Sequence, residues 1–115
     1  MKKTGVLLFA LMLVLAAAGD LWAQSATGQI TGTVKDATGG VMEQVKVTVT
    51  LVQTGLTRET TTNELGTYVV PLLPAGVYLV TAERANFKLA VTSDVQLNVD
   101  QVQRVDFTLT TGDIS

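Results

Sequence analysis

The sequence predicts an all-β protein: a β-sandwich of about seven strands preceded by a signal-peptide helix. Three observations predict it. Residues 24–115 hold 15 Val and 17 Thr, and β-branched side chains with a restricted χ1 suit a pleated surface better than a helix. Apolar residues recur at every second position, with no helical stripe. The runs are separated, roughly every 8–12 residues, by Gly, Pro, Asn and Asp.

The first segment is an address. Met1-Lys2-Lys3 is a short basic start, residues 5–18 (GVLLFALMLVLAAA) carry no charge, and Asp20 ends the run. Basic, apolar, then polar with small residues is the layout of a secretory signal peptide. A spanning helix needs about 20 apolar residues, and this run is too short. Residues 1–23 are read as the signal, with cleavage after Ala23 and with Ala18 and Ala26 as alternatives. Residues 24–27 then form a linker, 28–110 the domain and 111–115 a tail, with no membrane span in the mature chain. An exported, cysteine-free chain fits the periplasm, the outer-membrane surface or the medium of a Gram-negative bacterium.

Within the domain, residues 29–35 form the first strand, closed by Asp36-Ala37-Thr38-Gly39-Gly40. Val45, Val47, Val49 and Leu51 alternate with Lys46, Thr48 and Thr50, which gives one dry face and one wet face. Residues 57–62 and 67–72 flank Asn63-Glu64-Leu65-Gly66, a loop that suits a type I turn followed by a left-handed Gly. Pro71 has no N–H to donate, so its strand lies at an edge or carries a bulge. Leu73-Pro74-Ala75-Gly76 reads as a turn, and Tyr78 and Val80 point to the core of the strand after it. Val77 and Leu79 on its other face are also apolar, so that strand is either central and partly covered on both sides or meets a partner with its second face. Asn86 tolerates the left-handed region. Val95, Leu97 and Val99 alternate as one dry face, and Val105, Phe107 and Leu109 as another.

In order, the strings GQITGTVKDATGG, VKVTVT, TTNELGTY, LPAGVY and ANF resemble the carboxypeptidase regulatory-like domain over about residues 27–110. That resemblance implies a prealbumin-like (transthyretin-like, Ig-like) seven-stranded sandwich without catalytic groups. It gives structural roles to Asp36, Gly39, Asn63, Gly66, Tyr68, Pro74, Gly76, Tyr78, Asn86 and Phe87. Asp36 is expected to accept backbone N–H groups, the glycines to supply unusual backbone angles, and the tyrosines to fill the ends of the core. Two positions depart from the family pattern: Glu43-Gln44 stands where Pro-Gly is common, and Asn86 where Gly precedes Phe. A domain of this kind after a signal peptide is also similar to the N-terminal extension of TonB-dependent outer-membrane receptors. In those proteins a plug and a barrel follow; neither is read before Ser115, which leaves a stand-alone relative and a shortened product both open.

Composition excludes much chemistry. There is no Cys and no His, so thiol nucleophiles, disulfides, Ser-His-Asp relays and the usual zinc sites are out. Lys plus Arg is 8 against Asp plus Glu 10, a net charge of −2, which disfavours nucleic acid. Ser25, Ser93 and Ser115 lie in no nucleophile elbow. The carboxylates are scattered over turns and wet faces, so no catalytic residue, metal or cofactor is expected; Asp36 with Thr38 falls short of a calcium site. A Lys–Asn crosslink, as in related adhesin sandwiches, needs a buried Lys, and Lys35, Lys46 and Asn98 all fall in wet phase. Two functions remain. The first is a non-catalytic interaction or support module of the cell envelope, pairing with a protein partner through a strand edge at Thr60, Thr61 and Thr62. The second is a carbohydrate-binding module, which would need Tyr68, Tyr78, Phe87 or Phe107 exposed for stacking.

Overall fold

The computed structural model describes residues 26–112; the signal peptide read at residues 1–23 lies outside them. Eight strands follow in order: β1 (Thr27–Asp36), β2 (Lys46–Leu51), β3 (Thr57–Thr61), β4 (Thr67–Pro74), β5 (Gly76–Glu83), β6 (Ala90–Leu97), β7 (Val102–Arg104) and β8 (Phe107–Leu109). They form two sheets. One has β1 between β4 and the β7/β8 pair, and the other runs β3-β2-β5-β6. No helix among the described residues is long and apolar enough to cross a membrane.

Alternation builds the core. Ile30 and Val34 of β1, Val45, Val47, Val49 and Leu51 around β2, Tyr78, Val80 and Ala82 of β5, and Phe107 and Leu109 of β8 converge in one buried cluster. Burying each large side chain contributes about 1.5–3 kcal/mol. Of the two readings of Val77 and Leu79, the structure has the central strand: β5 lies between β2 and β6, and both residues are half-buried.

Pro71 meets both of its expected conditions. β4 is an edge strand, and its register with β1 moves from Ile30↔Val70 to Gly28↔Leu73. Pro71 and Leu72 thus stand together opposite Gln29, in a bulge where Leu72 has φ 57°. The turn expected over residues 73–76 is tighter than read. Leu73 and Pro74 end β4, Gly76 opens β5 in the other sheet, and Ala75 alone separates the two strands.

Two sequence expectations fail here. Val99 does not continue the dry face of Val95 and Leu97: β6 ends at Leu97, and Val99 is 46% exposed in a turn where Asp100 has φ 60°. The run Val105–Leu109 keeps its alternation but is not one strand. β7 and β8 each pair parallel with β1 and are separated by Val105 and Asp106.

Candidate functional site

The residues singled out by sequence do not gather into one site; most lock turns or lie buried in the core. Asp36 ends β1, and its Oδ1 accepts the Thr38 and Gly40 N–H groups at 2.9 Å each and the Thr38 hydroxyl at 2.6 Å. The Thr38 hydroxyl first, then the Gly40 N–H, hold this carboxyl below the usual carboxylate range. Asp36 Oδ1 is thus engaged by its own turn, and no cluster of three or more His, Cys, Asp or Glu side chains lies among the described residues. Gly39 follows with φ 89°.

Asn63 organises the β3–β4 turn as Asp36 does its own. Its Oδ1 accepts from the Leu65 N–H, the Thr67 N–H and the Thr67 hydroxyl. Gly66 has φ 73°, and a Cβ there would lie 2.8 Å from the Val34 carbonyl oxygen, so both angle and space require glycine. Gly76 has φ 155° and Asn86 φ 73°.

The tyrosines are interior struts. Tyr68 is 3% exposed, and its hydroxyl donates to the Val105 carbonyl. Burial, joined by the Asp106 charge, pushes that hydroxyl above the usual tyrosine range against the opposing pull of Arg104. Tyr78 is fully buried and donates to the Pro74 carbonyl at 2.5 Å, pinning the crossover at Ala75. Phe107 is buried, while Phe87 is half-buried against the core. Phe87 lines an open cleft of about 530 Å³ with Glu83, Arg84, Lys88 and Leu89. Lys35, Lys46 and Asn98 are exposed, and Lys46 pairs with Glu59 at 3.4 Å. The crosslink geometry, a buried Lys facing Asn, is not formed by them.

The edge residues divide. Thr60 and Thr61 lie on β3, the outer strand of its sheet. Thr62, expected on the same edge, does not belong to it. It is 4% exposed, and its hydroxyl accepts the Val45 N–H at 3.0 Å while donating to the Met42 carbonyl at 2.7 Å. Its N–H donates inward, to the Val45 carbonyl at 3.0 Å.

What sequence reasoning missed is the contrast among the four sheet edges. β4 carries the Pro71–Leu72 bulge. β6 bulges where Ser93 and Asp94 stand opposite Leu79, with Asp94 at φ 56°. The β7/β8 edge is broken at Val105 and Asp106. β3 pairs with β2 from Lys46↔Thr61 to Thr50↔Thr57 without a shift. The Thr62–Val45 and Leu51–Leu56 bonds set the phase of this antiparallel ladder. Arg58 and Thr60 therefore spend their backbone groups on β2, while Thr57, Glu59 and Thr61 turn theirs outward. Bulges and breaks blunt an edge against pairing; among the described residues β3 is the edge without one.

The family model of the carboxypeptidase regulatory-like domain matches residues 29–110. The chain belongs to that family. No curated protein sequence matches it. Among solved structures, it is similar to the TIE protein of Bacillus anthracis, with a TM-score of 0.64 and 14% identity over 75% of this chain and 17% of that one. It is also similar to the full-length major pilin SpaD of Corynebacterium diphtheriae, with a TM-score of 0.56 and 19% identity over 74% and 30%. Wild-type catechol 1,2-dioxygenase of Acinetobacter radioresistens matches with a TM-score of 0.63 and 12% identity over 84% and 55%. The chain thus spans less than two thirds of each of these proteins, and at such identities the likeness is one of fold alone.

Proposed function

We propose that this regulatory-like domain is a non-catalytic module of the cell envelope that recognises a protein partner by pairing with its strand along β3. The observation that carries this is the unshifted β3 register beside three blunted edges. An added strand would find the outward N–H and C=O groups of Thr57, Glu59 and Thr61, and backbone pairing gives affinity where alternate side chains give specificity. Arg58 and Glu59 on the same strand keep it from pairing at random. The signal peptide read at residues 1–23 supports a location outside the cytoplasm, and a place at the N-terminus of a TonB-dependent receptor is the finer form of the proposal.

The carboxylates Glu43, Glu59, Glu64, Glu83, Asp94, Asp100 and Asp106 are exposed and dispersed, which supports a role without turnover. The carbohydrate reading is the weaker one. Tyr68, Tyr78 and Phe107 are buried, leaving Phe87 as the half-exposed aromatic among the described residues.

The test is replacement of the gene in its host by Thr61→Pro. Loss of partner assembly with the folded protein still exported supports the proposal. Unchanged assembly, or hydrolytic turnover by the purified chain, overturns it.

A further inference from the structure

The first and last strands of the described fold lie side by side and point the same way. Gln29 stands beside Val102, and Asp36 beside Leu109. The chain therefore enters the sandwich at one pole and leaves it at the other. At about 3.3 Å per residue, the two poles are about 30 Å apart along the strands.

A row of bonds joins these strands over nearly their whole length. The Gln29 N–H donates to the Gln101 carbonyl at 2.9 Å and the Val105 N–H to the Thr31 carbonyl at 2.8 Å. Where the β7–β8 ladder is interrupted, the Asp106 side chain takes over: its Oδ1 accepts the Thr33 N–H at 2.8 Å. Arg104 holds Asp106 in place through Nε at 2.9 Å and reaches the Thr33 hydroxyl at 3.2 Å. The Val105 carbonyl, turned away from this row, is taken up by Tyr68. It also comes so near Gly32 that a Cβ there would lie 1.8 Å from its oxygen.

Pulling the poles apart slides β1 along β7 and β8. The bonds of a sliding pair share the load and must fail together, whereas a hairpin opened from its end loses them one at a time. We infer that the domain is load-bearing: β1 and β7–β8 form a shear clamp, spliced by Asp106, that resists tension applied between its two poles. Beyond the clamp, residues 110–112 run antiparallel to 86–88, with Lys88 N–H on the Thr110 carbonyl at 2.9 Å and Gly112 N–H on the Asn86 carbonyl at 3.3 Å. That strap opens from its end and yields first. The clamp makes no use of β3 and stands apart from the partner reading.

Single-molecule pulling of the full chain tests it, since the protein has no cysteine of its own and handles can be placed at will. Ala26→Cys with Thr111→Cys pulls along the poles; Lys46→Cys with Thr61→Cys opens β2 from β3. Forced unfolding reads the unfolding barrier. The expected result is a peak force at least twofold higher along the poles. Asp106→Ala is expected to lower that force while leaving the β2–β3 force unchanged, and Asp106→Asn, which keeps an oxygen acceptor for Thr33, to preserve it. Equal forces in the two directions would overturn the inference, as would an Asp106→Ala effect that is absent or the same in both.

Discussion

The Tyr68 hydroxyl donates to the carbonyl of Val105, 37 residues further along the chain. The bond lies on the core face of the β4-β1-β7 sheet and crosses over Gly32, the β1 residue paired with Tyr68. Only a residue without a side chain lets Val105 come that close. Tyr68 thus satisfies a carbonyl that the break between β7 and β8 would otherwise leave buried and unpaired. Tyr68→Phe is expected to cost about 1–3 kcal/mol, the penalty of one orphaned buried acceptor. Urea unfolding of the two proteins reads it directly, with the slope unchanged.

Thr62→Val keeps the shape of the side chain and removes the hydroxyl that serves both Val45 and Met42. The Val45 N–H is then left unsatisfied in the core. A loss of about 1–3 kcal/mol is expected. Thr61→Val, an exposed neighbour, is expected to change stability by less than about 0.5 kcal/mol. Thermal unfolding of the pair separates them.

Stability should fall at both ends of the pH scale. Tyr68 and Tyr78 are both raised, chiefly by burial. Above the ordinary tyrosine value of 10.0 the unfolded chain therefore sheds protons that the folded chain keeps, and stability declines as pH rises. Burial works against the Asp106 carboxylate, but bonds from Arg104 and the Thr33 N–H, with the charges of Arg104 and Lys35, outweigh it and hold its carboxyl low, as Thr38 and Gly40 hold Asp36. Their contribution is present above the unfolded value of 3.8 and is lost as pH falls below it. Denaturation midpoints across pH should show both declines, with the alkaline one shallower in Tyr68→Phe.

Proline separates the two sides of β3. At Thr61 it removes an N–H that points outward; at Thr60 it removes one given to β2. Thr60→Pro is expected to be less stable than Thr61→Pro by at least about 1 kcal/mol. Equal losses would mean that the outward phase assigned to Thr57, Glu59 and Thr61 is wrong.

Local chemistry was legible in the sequence wherever a residue's neighbours along the chain decide its role. Val45, Val47, Val49 and Leu51 show their phase by alternation. Asn63 and Gly66 show their turn by spacing, and Pro71 shows its edge and bulge by its missing donor. Register was not legible. Thr62 looks like a third exposed threonine until the ladder is known to set it opposite Val45, on the core side. Val99 looks like a continued strand because periodicity outran the turn-forming Asn98 and Asp100 that end it. The Asp106 splice joins residues 73 positions apart in the chain, which no local pattern records.

The central claim is that β3 receives a partner's strand. A photo-crosslinking residue at Glu59, compared with one at Thr108 on the opposite sheet, tests it in intact cells. An adduct is expected from position 59 and none from position 108, and it is expected to disappear when Thr61→Pro is added to a chain that still folds. The same adduct from both positions, or one that survives Thr61→Pro, would contradict it.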